Sequence, residues 1–351
     1  MKIALLAPPW YSVPPRAYGG IESLVAGLAD GLTRRGHDVL LLSAGPSTTT
    51  ATGYTTLSAA ADDRLGDETT ALLHATMAED AIRDFDPDVV HDHTLTGLSL
   101  ASYRSCPTVT TVHGAVTGDY AELLRRSPDV HLVAISEAQR RTAPDLPWAA
   151  TVHNGIPVSA FPFSDTKDDV LVFLGRMHPD KGIVQAIDVA ERSDLPLVIA
   201  ARVHGGFEER YFADVVRPRL SSHVEFAGEL NFADKTALLG RARALLFPLQ
   251  WPEPYGLVVS EAQACGTPVL SLRRGAVPEL VVEGRTALLR DHHLDLVADV
   301  PHAALLSPLD ARQHAIDHLD IAATAAGYEA LFERLVAVQA RRTTHLRTSV
   351  A

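Results

Sequence analysis

The sequence predicts an α/β protein made of two Rossmann-like parallel-sheet domains, and three observations carry that reading. Short apolar runs of strand length alternate with segments of helical periodicity, the pattern of parallel strands with helices on both faces of a sheet. The alternation runs once to about residue 160, breaks in the polar stretch FPFSDTKDD at 161–169, and then starts again. A length of 351 residues allows two domains, each with a core of its own.

In chain order, residues 2–7 (KIALLA) read as a central strand buried on both faces. A proline-rich loop follows, PPWYSVPPRAYGG. Ile21, Leu24, Val25, Leu28 and Leu32 then fall at helical spacing, closed by Arg34, Arg35 and Gly36. Further strands are expected at 38–43, 88–92, 108–112 and 131–135, and Ser136 with Gln139 has the capping-box spacing of a helix start. The segment Ala44–Gly66 fits no assignable pattern. His153–Pro157 is a turn cluster, so the domains are read as 1–160 and 161–320. The second round predicts strands at 170–174, 197–201, 223–226 and 244–247, with helices at 182–191, 208–220 and 231–241. After Leu289 the pattern is helical, and Ile321–Arg341 is one long amphipathic run within a segment, 321–351, expected to pack back on the first domain. Ligands of such sheets bind beyond the carboxyl ends of the strands, which places the expected site in a cleft between the two domains.

Composition excludes several function classes. A net charge of −12 argues against a nucleic-acid binder, so any anionic ligand must be held by local basic residues and helix starts. Cys106 and Cys265 are far apart and lack metal-type spacing, as expected of reduced thiols in a cytoplasmic protein. The apolar run Ile3–Ala7 is too short for a signal sequence, and no apolar stretch approaches the ~20 residues of a membrane span. Neither G-x-G-x-x-G after the first strand nor a P-loop motif occurs, which removes most of the case for a dehydrogenase or an NTPase.

The residues that can carry chemistry lie at strand ends. Between Phe247 and Leu280, Glu253 on a proline-flanked loop and Glu261 on a helix bracket Gly256, where that helix begins. A helix start offers unpaired N–H groups and a positive dipole end, so the pair suits a ligand with both anionic and hydroxyl parts. Two carboxyls can also mean glycoside hydrolysis, but a loop and a helix separate these, and hydroxyl recognition fits better. Arg176 and Lys181 stand on the loop after the first strand of the second domain. A guanidinium fork and a mobile ammonium suit a diphosphate whose charge grows as it leaves, the alternative being a solvated loop. Gly19 and Gly20, before the first helix, either permit close backbone approach to a phosphate or simply form a tight turn. His113 ends a strand and is placed to contact a sugar hydroxyl or carry a proton, unless it is structural. His91-Asp92-His93 sets two imidazoles on one side of an extended segment; a metal site is conceivable there, but no third ligand is indicated.

The assembled pieces are YGGIESLVAGLADGLTRRGHDV, DVVHDH, TVHG, AISEAQR, HNGI, VFLGRMHPDKG, and EPYGLVVSEAQACGTPVL followed by GAVPELVVEGRTALL. In this order, over most of residues 1–290, they resemble the retaining glycosyltransferases of family 4, which have the GT-B architecture and a Glu-x7-Glu motif. The resemblance implies hexosyl transfer from a nucleoside-diphosphate sugar, with UDP the expected nucleotide, to an acceptor hydroxyl, with retention and without a metal. It implies that Arg176 and Lys181 hold the diphosphate with backbone help from Gly20. Glu261 would bind the ribose hydroxyls, Glu253 and His113 the donor sugar, and the loop at Tyr255, Gly256 and Leu257 the sugar or phosphate. Retention is usually described as a front-face reaction in which the leaving phosphate deprotonates the acceptor. An acceptor is expected against the first domain, near Tyr18, His91 and His93. The chain departs from relatives at Ala201-Arg202, where a glycine is frequent, and at Tyr255, where Phe is common. The first loop, Ser12–Gly20, resembles a bacterial subset that includes small-molecule and antibiotic-tailoring enzymes. A GT-B epimerase or phosphorylase, or a nucleotide-sugar-binding protein without catalysis, is the alternative.

Overall fold

The computed structural model describes residues 1–16 and 18–350, with side chains as far as Arg341. The chain divides into two compact units. One comprises Met1–Pro15, Gly19–Asn154 and Ile321–Ala351, and the other Arg16–Tyr18 and Gly155–Asp320. The crossing falls at Asn154–Gly155, ahead of the polar stretch 161–169, and the chain returns to the first unit at Ile321.

In the first unit seven parallel strands are ordered β3-β2-β1-β4-β5-β6-β7. They are β1 (Lys2–Leu6), β2 (Asp38–Ala44), β3 (Thr52–Leu57), β4 (Val89–Asp92), β5 (Thr108–Val112), β6 (Val130–Ala134) and β7 (Trp148–Thr151). Strand β1 shows why a central strand reads as an unbroken apolar run. Ile3 and Leu5 pack with Val25, Leu28 and Leu32 of the helix Gly20–Arg34, while Ala4 and Leu6 face Ala78 and Ile82 of the helix Glu68–Phe85. The terminal helix Ile321–Val350 adds Ala325, Tyr328, Leu331 and Phe332 to the first of these cores. Its Glu329 accepts from Arg35 and pairs with His37 at 2.8 Å.

The second unit has six parallel strands in the order β10-β9-β8-β11-β12-β13. These are β8 (Leu171–Arg176), β9 (Leu197–Arg202), β10 (Val224–Gly228), β11 (Ala244–Phe247), β12 (Val269–Leu272) and β13 (Ala287–Arg290). Leu171 and Phe173 of β8 pack on Ile183, Ile187 and Ala190 of the helix Ile183–Ser193. Strand order reverses between β8 and β11, so the loops after Arg176 and Phe247 emerge at the switch point where ligands of open α/β sheets bind.

Three sequence expectations need correction. The unassigned segment 44–66 contains β3, an edge strand whose TGYTTL sequence is mostly exposed and therefore carries no apolar run. The expected helix 208–220 is broken: Gly205–Tyr211 is α-helical, a wider π-type turn follows at Phe212–Val216, and Pro218 confines the end to a short 3-10 turn. The chain after Leu289 is not helical at once, because β13 runs to Arg290 before the helices Leu296–Ala303 and Pro308–His318. Among the described residues no helix is long and apolar enough to cross a membrane.

Candidate active site

The second unit gathers four of the charged residues singled out by sequence. Arg176 ends β8, and Lys181 closes a short turn, Pro179–Lys181, one loop further on. Glu253 lies on the loop after β11, and Glu261 is carried by the helix Leu257–Ala264. Lys181 Nζ donates to Glu253 Oε2 and stands 5.1 Å from the centre of the Trp251 ring. The Trp251 indole N–H donates to the same oxygen at 2.9 Å, so two donors fix one face of the carboxylate. Arg176 is held more loosely, at 3.4 Å from both Asp180 and Glu208, with its side chain 34% exposed. Contacts that long are weak and easily exchanged for a phosphate. Glu261 takes a 2.6 Å bond from Lys235, on the helix Phe232–Arg241.

The Glu253 loop is braced from two sides. Gly182 has a φ of +79°, and a Cβ there would lie 2.0 Å from the Pro248 carbonyl oxygen. The Gln250 N–H reaches the Asp180 carbonyl at 2.7 Å. On the opposite side the Ala276 N–H donates to the Glu253 carbonyl at 2.9 Å, and a Cβ on Gly275 would meet that oxygen at 2.2 Å. Only glycine permits these approaches, so the sequence at 182 and 275 fixes where Glu253 can stand. Gly256 begins the helix Leu257–Ala264 with a φ of +100° and no side-chain cap among the described residues. That leaves the first N–H groups at this helix start for a ligand, with Leu257 half-buried beside them. Tyr255, expected among the donor contacts, is 3% exposed, and burial pushes its phenol upward. Its ring is part of the core, not of a ligand surface.

The first unit brings three histidines together. His113 follows β5, and its Nε2 lies 2.8 Å from Nδ1 of His93 at the end of β4, the two rings stacked 5.1 Å apart. Gln139 grips the carbonyls on both sides of His113, donating to Val112 at 2.7 Å and to Gly114 at 2.8 Å. The Ser136 cap, which accepts from the Gln139 N–H at 3.0 Å, is what sets that side chain there. Burial pushes His91 down to about 3, His113 to about 4, and His93 well below its usual value, so all three are neutral near neutral pH. His91 cannot meet an acceptor directly: it is fully buried against Tyr328, and its Nε2 pairs with the Thr111 hydroxyl at 2.8 Å. His93, 6% exposed, meets His113 as its polar partner. Asp92 turns away from the imidazoles to Arg104 at 3.0 Å, and Arg104 also pairs with Glu79.

One placement at the first loop differs from expectation. Tyr18, read as an acceptor-side residue, groups with the second unit: its N–H donates to Glu229 at 3.0 Å and Arg202 lies 4.8 Å over its ring. This gives Arg202, the departure noted in the sequence, a cation–π partner. Beside Gly19, which caps the helix Gly20–Arg34, the sequence reading passed over Glu22. It is 3% exposed, and burial raises its carboxyl to about 7 against the opposing bond from its own backbone N–H. Lys235 and Trp251 were also passed over, and Gln139 was read only as part of a helix start; each acts on a residue singled out by sequence.

Comparison with known proteins agrees with this geometry. Residues 18–160 match the family described as Glycosyltransferase Family 4, and residues 159–304 match Glycosyl transferases group 1. The chain is 28% identical to a glycogen synthase of Mycobacterium tuberculosis, with 82% of each chain covered. It is 26% identical to AviGT4, a glycosyltransferase involved in avilamycin A biosynthesis, whose crystal structure superposes with a TM-score of 0.74 over 96% of this chain and 98% of that one. Anabaena Alr3699/HepE, solved in complex with UDP and glucose, shares the fold at a TM-score of 0.72 and 19% identity, over 95% of this chain and 100% of that one. With a family-4 domain followed by a group-1 domain on two parallel α/β sheets, the chain belongs to the glycosyltransferases of GT-B fold.

Proposed function

We propose that the protein transfers a hexosyl group from a nucleoside-diphosphate sugar, UDP being the expected nucleotide, to an acceptor hydroxyl with retention of configuration and without a metal. The observation that supports this is the pairing of Lys181 with Glu253 across the switch point of the second sheet, with Arg176 at the end of β8 and Glu261 on the helix that follows β11. UDP in the HepE structure supports the nucleotide, and the likeness to AviGT4 supports a place in the subset that includes small-molecule tailoring enzymes. Two free cysteines suit a reducing, cytoplasmic setting.

In this reading Glu261, oriented by Lys235, accepts from the ribose hydroxyls. A diphosphate draws Lys181 away from Glu253 and replaces the loose partners of Arg176, so both cations face the charge that develops as the glycosidic bond breaks. Glu253, still held by the Trp251 N–H, then accepts from a sugar hydroxyl, and His113 with the Gly19–Gly20 backbone supplies contacts from the first unit. The leaving phosphate takes the acceptor proton.

The test is incubation with UDP-, GDP-, ADP- and TDP-sugars, following nucleoside-diphosphate release with and without small-molecule, lipid and glycan acceptors. Acceptor-dependent release with UDP-hexose, persisting in excess EDTA and giving a product of the donor's anomeric configuration, is expected. Donor turnover without a transfer product would point to an epimerase, and tight binding without release to a non-catalytic binder; either outcome overturns the proposal.

A further inference from the structure

We infer that His93 is a positioning residue that fixes His113 as the Nδ1–H tautomer, so that His113 meets its ligand as a hydrogen-bond donor and not as a base. This deepens the proposed function by assigning the kind of contact His113 makes; the sugar or acceptor oxygen as its partner rests on that reading.

The count of protons on the two rings fixes the tautomer. His93 Nδ1 and His113 Nε2 are 2.8 Å apart, so one of these nitrogens carries hydrogen and the other a lone pair. The other nitrogen of His93, Nε2, is buried and makes no hydrogen bond among the described residues. A neutral imidazole has one N–H. If His93 carried it on Nε2, a buried donor would be orphaned, which native structures rarely tolerate; an unmet acceptor lone pair is the lesser cost. The hydrogen therefore sits on Nδ1 and is donated to His113 Nε2. His113, accepting at Nε2 and itself neutral, must carry its hydrogen on Nδ1.

The neighbours agree with this assignment. His91 packs on His93 with ring centres 4.1 Å apart, and its own Nδ1 is also buried without a partner while Nε2 meets Thr111. The same reasoning puts the His91 hydrogen on Nε2, toward the Thr111 oxygen, whose hydroxyl also meets Tyr328 at 2.6 Å. Each of the imidazoles of His91 and His93 thus turns its only N–H to its one polar partner and leaves a bare lone pair in the core. Gln139 holds the carbonyls on both sides of His113, so the exposed edge of its ring is fixed in direction as well as in tautomer. A neutral Nδ1–H fits an ether, carbonyl or hydroxyl oxygen and cannot accept the acceptor's proton.

Long-range 1H–15N correlation spectra of the full chain, labelled with 15N-histidine and assigned by the missing signal in His113→Asn, test this without any sugar nucleotide. The expected result is a His113 pattern with Nδ1 protonated and Nε2 bare; Nε2–H at His113 overturns the inference. In His93→Phe the exclusive Nδ1–H pattern should give way to a mixture that includes Nε2–H, and an unchanged pattern overturns the positioning role. The wild-type spectrum decides the tautomer even if that variant does not fold. Because no donor or acceptor is present, a failure here leaves the transferase reading standing, and failed turnover leaves the tautomer standing.

Discussion

At the scale of single residues, burial holds several side chains in unusual protonation states. Glu22 is the clearest case, a buried carboxyl pushed from 4.5 up to about 7, beside the Gly19–Gly20 turn that would receive a phosphate. Protonated, it leaves that helix start attractive to an anion; ionised, it would repel one. Its folded pKa lies above the unfolded value, so folding favours the protonated form. Its contribution is most favourable below about 4.5, is lost progressively as pH rises from there to about 7, and stays lost above. Glu22→Gln keeps the shape and removes the ionisation. The variant should be more stable than the wild type at about pH 8, by on the order of 3 kcal/mol, with the gap shrinking toward about pH 4. Thermal unfolding of both proteins at the two pH values checks it, and a gap that does not change with pH would contradict it. The sequence could not show this, since Glu in the first turn of a helix is ordinarily an exposed, dipole-favoured residue.

At the scale of elements, the proposed reaction depends on where the Glu253 loop is pinned. Gly275 has a φ of +55° and lies against the Glu253 backbone, whereas Gly284 has a φ of +77° and open space, with nothing within 4 Å of where a Cβ would stand. Alanine at 284 should cost only the left-handed strain, about 1–2 kcal/mol, and leave turnover near wild type. Alanine at 275 should also displace Glu253 and lower kcat by ~10²-fold, the scale of an ångström-sized misplacement. Equal kcat in the two variants, measured beside their melting temperatures, would show that the brace does not matter. The elements themselves were legible where burial on both faces wrote an apolar run, as in β1 and β8. They were illegible where it did not: β3 is polar because it lies at a sheet edge, and β13, at the edge of the second sheet, is buried only at alternate positions. Gly275 could be read as a turn, but its contact with a loop more than twenty positions earlier exists only in the fold.

At the scale of the whole molecule, the double round of strand and helix gave the two sheets, and their order could not be read from it. The reversal between β8 and β11 is a matter of topology, yet it is what brings Lys181 to Glu253. Acidic and basic members of the candidate site were each visible as residues out of place on loops; that they hold one another, Lys181 on Glu253 and Lys235 on Glu261, was not. The histidine cluster was half legible: His113 at a strand end pointed outward, while His91 needed Tyr328, from the far end of the chain, to show that it belongs to the core. In the proposed reaction Arg176 and Lys181 exchange their acidic partners for a nucleoside diphosphate. Calorimetric titration with UDP and with uridine tests it most directly, using the wild type, Arg176→Ala and Lys181→Ala. The account predicts that each variant weakens UDP by ~1.5–3 kcal/mol, the range for a hydrogen bond to a charged group, and leaves uridine unchanged. Equal UDP affinity in all three proteins would contradict it.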